Sequence, residues 1–169
     1  MKRWFRAVLA IVLISVLAAC GDKSEGRNEE ITNEQENPSG ETRGKNEMNH
    51  SAEKIAVTLE GGEIIINVYN NPTAKEFLEQ LPLTMTFEEF GGFEKLSYPP
   101  EKLTVEGAPS GYTPQRGDFA YYAPWGDVAM FYNKHSYSAG LVKIGEIESG
   151  VELLETMEKD FTVSIKRVD

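Results

Sequence analysis

Alternation of apolar and more polar residues is the feature that most limits the fold of the C-terminal two thirds of the chain. The clearest case runs from Ile55 to Tyr69, where in each half every second residue is Ile, Val or Leu and Gly61-Gly62 interrupts the pattern. Successive side chains of a strand point to opposite faces, so this pattern predicts two strands with one buried face each. Two glycines between such strands predict a tight turn, and the segment is therefore predicted to be a β-hairpin.

The same alternation recurs in short stretches, whereas helical spacing occurs only twice. Further strands are predicted over residues 83–87, 119–123, 128–132, 141–147 and 161–166. One helix is predicted after the Asn71-Pro72 cap, and a second after Ser149, which has the Ser-x-x-Glu spacing of a capping box. The segment between Tyr98 and Gly117 contains four prolines and three glycines and is predicted to be irregular. Many short strands with two short helices predict a mainly β fold, a closed or nearly closed barrel capped by the helices.

The N-terminus carries a targeting signal. A basic start is followed by an apolar run from Ala7 to Leu17, about half the ~20 residues that a membrane span needs, which is typical of a signal peptide. The run ends in Leu17-Ala18-Ala19-Cys20, which resembles a bacterial lipobox. We expect transfer of a diacylglyceryl group to the Cys20 thiol, palmitate being one of the acyl chains, and cleavage before Cys20. This predicts a lipoprotein anchored to the cell membrane on its extracytoplasmic side.

Three regions follow from composition: a signal peptide over 1–19, a lipidated Cys20 with a disordered polar tether over 20–52, and a folded domain over 53–169. The tether has almost no apolar side chains and cannot form a core. The whole chain has 27 acidic and 17 basic residues, a net charge of −10, which disfavours nucleic acid as a partner. A single cysteine excludes an internal disulfide, and two separated histidines disfavour a zinc site. We therefore expect no cofactor and no metal.

Two pairs of motifs resemble known proteins. Residues 72–77 and 142–154 are similar, in matching order, to the first helix and the strand-to-helix region of cyclophilins. Residues 106–112 (Glu-Gly-Ala-Pro-Ser-Gly-Tyr) and 121–132 (Tyr-Tyr-Ala-Pro-Trp-Gly-Asp-Val-Ala-Met-Phe-Tyr) resemble signatures of a small prokaryotic family of cyclophilin-like fold. The resemblance covers roughly residues 54–168, and it implies a closed eight-stranded β-barrel with helices over its open ends.

The resemblance to cyclophilins also indicates which positions would carry the residues required for prolyl isomerisation. Its arginine motif, Phe-His-Arg-Val, is replaced by residues 93–96, which put Lys95 at the arginine, and Lys95 lacks the planar donor fork of a guanidinium. Val128 stands at the family's glutamine and Leu141 at its pocket histidine. Since the barrier to prolyl isomerisation is about 20 kcal/mol, these losses predict weak or absent activity, and we assign no catalytic residue.

Aromatic residues are the best candidates for a binding site. Trp125 is predicted at an exposed turn, and half of the tyrosine and phenylalanine side chains on the flanking strands point outward, where they can line a shallow cleft or simply pack. The predicted ligand-binding residues are Lys95, Tyr98, Tyr121, Tyr122, Trp125 and Phe131. Two functions remain open: a non-catalytic module that binds a peptide or small apolar ligand at the membrane, and a degenerate peptidyl-prolyl isomerase that assists exported proteins.

Overall fold

The computed structural model describes residues 50–168, with side chains from Glu53 onward. The predicted signal peptide, Cys20 and nearly all of the predicted tether lie outside this range. Within it, neither helix is long and apolar enough to cross a membrane.

The described chain forms ten strands and two helices. In chain order they are β1 (His50–Leu59), β2 (Gly62–Tyr69), α1 (Pro72–Glu79), β3 (Leu83–Phe90), β4 (Glu94–Ser97), β5 (Gly111–Tyr112), β6 (Asp118–Tyr122), β7 (Asp127–Phe131), β8 (Ser138–Ala139), β9 (Leu141–Ser149), α2 (Val151–Thr156) and β10 (Phe161–Arg167). Eight strands close into an antiparallel barrel in the order β1-β10-β3-β4-β7-β6-β9-β2, and β5 pairs with β8 in a separate two-stranded sheet. The predicted closed eight-stranded barrel with two short helices is confirmed.

The main core fills the inside of the barrel. Alternation along β1 and β2 sends Ile55, Val57 and Ile66 inward, and each is at most 1% exposed. Both helices add to this core: Phe77 of α1 contacts the ring of Phe119 edge to face at 5.3 Å, and Leu154 of α2 is fully buried. Burying each such side chain contributes about 1.5–3 kcal/mol.

The ends of the predicted elements shift slightly. Leu59 pairs with Gly62, so the hairpin turn consists of Glu60 and Gly61 rather than two glycines, with Gly61 at a φ of +97°. Helix α1 begins as predicted, because the Asn71 side chain accepts a hydrogen bond of 2.9 Å from the Ala74 backbone N–H.

One expectation about local structure is wrong, and one strand was not predicted. No capping box starts α2, because Ser149 is the last residue of β9 and pairs with Ile65; the cap is Gly150, in the left-handed region at a φ of +87°. The segment 98–117 is irregular as predicted, except for the two-residue strand β5. The preceding strand β4 was not predicted from its charged sequence.

Candidate functional site

A second apolar layer lies on the outside of the barrel, apart from the main core. Leu96 of β4 is opposite Ala129 of β7, which is opposite Ala120 of β6, and residues directly opposed in antiparallel strands share a face. All three are at most 1% exposed although they face outward. Tyr112 of β5 packs against this layer, so the small sheet covers part of the outer face of the barrel.

The two strands of the small sheet approach each other closely at Gly111. Gly111 has a φ of +147°, and a Cβ at this position would lie 2.2 Å from the Ser138 carbonyl oxygen of β8. Only glycine allows this approach without a shift of the backbone. Gly111 thereby fixes the position of the adjacent Tyr112.

A cavity of about 570 Å³ lies between this cover and the barrel. Its walls come from the end of β2, the start of α1, the segment before and after β5, and the outer side of β6 and β9. They consist of Tyr69, Asn70, Asn71, Pro72, Thr73, Glu106, Gly107, Ala108, Pro109, Tyr112, Thr113, Gln115, Asp118, Val142 and Lys143. This volume is in the range of small-molecule sites, and most of the wall surface is apolar.

A cluster of charged and hydroxyl groups forms one side of the cavity. The Lys143 ammonium lies 2.8 Å from Asp118 Oδ1 and 3.5 Å from Glu146 Oε2, and it sits 5.3 Å from the centre of the Tyr69 ring. The Tyr69 hydroxyl donates a hydrogen bond of 3.0 Å to Glu146. Asp118 also accepts a hydrogen bond from the Gln115 backbone N–H at 3.0 Å, so its buried carboxylate has two donors.

These contacts keep Lys143 charged. Burial alone would lower the pKa of Lys143, but the hydrogen bonds with Asp118 and Tyr69 outweigh it and raise the pKa above its ordinary value. Burial is the main reason that the pKa of Tyr69 is raised, partly offset by Lys143. A catalytic lysine needs a lowered pKa to act as a base or nucleophile, so this arrangement suits binding better than proton transfer.

Tyr112, which belongs to the small sheet of β5 and β8, lies next to the same charged cluster. Its hydroxyl is buried and has no hydrogen-bond partner among residues 53–168. Burial is the main reason that the pKa of Tyr112 lies far above its usual range, and the neighbouring Asp118 carboxylate is the second. The hydroxyl therefore stays protonated at the cavity wall, next to the Asp118 carboxylate.

Aromatic rings form a second surface feature, around Trp125. The Trp125 side chain is 50% exposed and meets the rings of Tyr122 and Phe90 nearly at right angles, with centroids 5.4 and 5.5 Å away. Phe93 continues the cluster, since it contacts Phe90 edge to face and stacks on Phe131 at 6.4 Å.

The structure brings together only part of the predicted ligand-binding set. Tyr122, Trp125 and Phe131 belong to one aromatic cluster. Tyr98 is 55% exposed, and its pKa is raised by desolvation and then by the charge of Asp127. The assignment of these residues to ligand binding stays a prediction.

Lys95 and Tyr121 lie on the other side of the sheet. Lys95 is opposite Met130, which is opposite Phe119 in the main core, and the Lys95 ammonium donates to Glu89 and to the Met157 carbonyl. Tyr121 is 2% exposed and its hydroxyl accepts from the Leu103 N–H at 3.2 Å. Neither side chain shares a surface with Trp125.

Two buried acids were not singled out from the sequence. Burial is the main reason that the pKa of Glu94 is raised to about 7, and the negative charges of Asp127 and Glu89 contribute to the same rise. Burial raises the pKa of Asp127 to about 6, although its own backbone N–H acts in the opposite direction. Asp118 and Asp127 each follow a glycine, which is typical of turn residues, yet both are at most 3% exposed.

The cavity residues were also missed, although one signal pointed to them. The motif 106–112, noted only for its resemblance, supplies five wall residues, including Glu106 and Tyr112. Within residues 53–168, no group of three or more His, Cys, Asp or Glu side chains is arranged to hold a metal ion.

The fold is similar to that of a protein of known solution structure. The chain superposes on a hypothetical protein from Archaeoglobus fulgidus, whose solution structure is known, with a TM-score of 0.54 and 17% sequence identity. The match covers 74% of this chain and 99% of that one. At this identity the likeness establishes a shared fold and says nothing of function.

Sequence comparison identifies the family. No curated protein matches the chain. The model of the cyclophilin-like family, however, matches residues 57–166, which span the barrel from β1 to β10. The matched segment covers more than half of the chain and contains both the cavity and the aromatic cluster, and the chain belongs to the cyclophilin-like family.

Proposed function

We propose that the domain is a non-catalytic binding module, held at the outer side of the cell membrane by a lipid on Cys20, and that its ligand enters the cavity between β5 and the barrel. The observation that carries the proposal is the cavity itself: about 570 Å³ of mostly apolar wall with Tyr69, Asp118 and Lys143 along one side. Binding sites commonly combine apolar walls with a few polar groups that orient the ligand.

The charges of the wall favour an uncharged ligand over an anion. Lys143 is already neutralised by Asp118 at 2.8 Å, and Glu146 and Glu106 add further negative charge nearby. This excess of negative charge would repel an anion. A ring or short apolar chain that carries a hydroxyl or amide group would instead contact the apolar walls and form hydrogen bonds with the polar groups. The module would thus bind a small molecule or the end of a peptide.

The contacts of Lys95 do not support the isomerase alternative. A residue that weakens amide resonance must reach the substrate, but the Lys95 ammonium is directed inward and is already bonded to Glu89 and Met157. The anchoring part of the proposal rests on the sequence around Cys20 alone.

Amide chemical shifts test the cavity. The full chain, in detergent micelles, is titrated with p-cresol, with N-acetylprolinamide and with benzoate. We expect saturable shifts at Gly107, Ala108 and Thr113 with at least one of the two uncharged probes, and weaker binding of benzoate because of the negative wall.

A pair of variants locates the binding. Ala108→Phe places a ring in the cavity and should abolish the shifts, whereas Thr84→Phe adds the same ring on the exposed side of β3 and should leave them unchanged. Absence of saturable shifts at these amides with every probe, or unchanged binding in Ala108→Phe, would overturn the proposal.

A further inference from the structure

Glu94 occupies an unusual position on the outer face of the barrel. In β4 it lies directly opposite Phe90 of β3 on one side and Phe131 of β7 on the other. Because opposed residues share a face, the carboxyl group lies between two aromatic side chains on the side away from the main core.

The Glu94 side chain is buried without a partner. The residue is 9% exposed, and among residues 53–168 no group donates a hydrogen bond to its carboxyl group or forms an ion pair with it. The charges that act on it are two further carboxylates, those of Asp127 and Glu89. The nearby Lys95 is on the opposite face, where it neutralises Glu89. A buried carboxylate of this kind is unfavourable until a cation or donor approaches it.

Partly exposed aromatic rings lie on the same face as Glu94. Trp125 meets Phe90 edge to face at 85°, with 5.5 Å between the ring centres. Phe93 is stacked on both Phe131 and His135, at 6.4 and 4.0 Å, so its faces are already in contact with other rings. Phe90 and Trp125 are 38% and 50% exposed and are therefore accessible from solvent. Ring faces attract ammonium groups that lie within about 6 Å of the ring centre, and more strongly where water is excluded.

We propose that Glu94 and the rings of Phe90 and Trp125 bind a small organic cation, an alkylammonium or quaternary ammonium group. The rings supply contact with its alkyl groups, and the unpaired carboxylate supplies the opposite charge. An anion would meet Glu94 and Asp127, and a metal ion would find too few oxygen ligands, since no metal-binding group exists within residues 53–168.

This site differs from the cavity of the proposed function. Tyr112 lies between the two, because its ring lines the cavity and also packs against the layer around Phe131. The lining residues of the cavity do not include Glu94, Phe90 or Trp125. Either site can therefore fail its test without affecting the test of the other.

Choline and 3,3-dimethylbutanol form a matched pair of probes, since they share shape and differ in charge. The full chain in uncharged maltoside micelles is titrated with each at about pH 8, and the change in Trp125 emission is followed, with Trp125→Phe as the blank for Trp4. We expect saturable binding of choline in the millimolar range and at least about tenfold weaker binding of the alcohol, the range of a desolvated cation–aromatic contact with a carboxylate partner.

Two isosteric variants test whether the Glu94 carboxylate supplies the negative charge that binds the cation. Glu94→Gln removes the carboxylate and should weaken choline binding by about tenfold, whereas Glu88→Gln removes an exposed carboxylate of β3 on the same face and should change it by less than about twofold. Equal affinity for choline and the alcohol, unchanged affinity in Glu94→Gln, or no saturable change in Trp125 emission would overturn the proposal.

A third probe distinguishes the source of the cation. N-acetyl-lysine-methylamide carries the same type of charge on a side chain of a polypeptide. Tighter binding of choline assigns the site to free small amines, and tighter binding of the lysine derivative assigns it to a cationic side chain; both outcomes require the loss in Glu94→Gln.

Discussion

The substitution Glu94→Gln should stabilise the protein at high pH and leave it nearly unchanged at low pH. Burial raises the pKa of Glu94 from an ordinary 4.5 to about 7. This carboxyl group therefore favours the folded state while it is protonated, and as the pH rises from about 4.5 through about 7 the folded state loses that advantage over the unfolded state. The difference in pKa corresponds to about 3 kcal/mol once the group is ionised, since each pKa unit is worth about 1.36 kcal/mol.

Between about pH 5 and about pH 8 the wild-type protein should lose about 2 to 3 kcal/mol through this group. Glutamine has nearly the same shape and does not titrate, so its variant should be more stable by this amount at about pH 8 and within about 1 kcal/mol of the wild type at about pH 5. Urea unfolding followed by far-ultraviolet circular dichroism, at both pH values, gives the free energies of unfolding.

Asp127→Asn is the matched comparison, because burial raises the pKa of Asp127 only to about 6 and its pH window is accordingly lower. Groups with lowered pKa values, such as Glu89, lose their contribution to stability at a pH below this window. That loss is the same in the variant and in the wild type, so it cancels when the two are compared at one pH. Equal pH dependence in the wild type and in Glu94→Gln would refute the reasoning, and so would a loss of stability at about pH 8.

Three shorter predictions concern exposure, catalysis and anchoring. Trp125→Ala should lower the free energy of unfolding by no more than about 1 kcal/mol, because half of the side chain is exposed, and acrylamide should quench Trp125 readily; a shielded tryptophan or a loss of about 3 to 5 kcal/mol would place it in a core. Relaxation of the cis Ala-Pro bond in a peptide should be no faster with the protein than without it, and robust turnover abolished by Lys95→Ala would establish the isomerase. The wild type should partition with membranes and incorporate labelled fatty acid, and Cys20→Ser should do neither; a Cys20→Ser protein that is still labelled would contradict the lipobox.

Much of the barrel could be predicted from the sequence because most of its strands have one clearly apolar side. The alternation from Ile55 to Val68 gives strands β1 and β2 directly, and the same holds for β9 and β10. Strand β4 differs, since Glu94-Lys95-Leu96-Ser97 places a charged residue on each face and all four residues are buried. No pattern of period two can then tell which charge faces the core. Lys95 was predicted at the binding site because it stands at the position of the family's arginine, and that position alone does not show which face of the sheet the side chain lies on.

The cavity depends on contacts that local sequence does not encode. Lys143 and Asp118 meet because β9 pairs with β6, with Asp118 opposite Glu146. Tyr112 joins them only through the small sheet with β8, which spans more than twenty residues of sequence. Asp118 follows a glycine and looks like an ordinary turn residue until this pairing is known. The motif 106–112 was visible in the sequence, but its role as a cavity wall required the fold.

Closure of the barrel has a consequence for contacts between copies of this protein. Each of the eight barrel strands has a neighbour on both sides, so the barrel presents no free strand edge to another copy. The remaining pair, β5 and β8, has two residues in each strand, too short to serve as a template for pairing. Lipidation at Cys20 would hold many copies at high local density, and the closed architecture would let them crowd together without aggregating edge to edge.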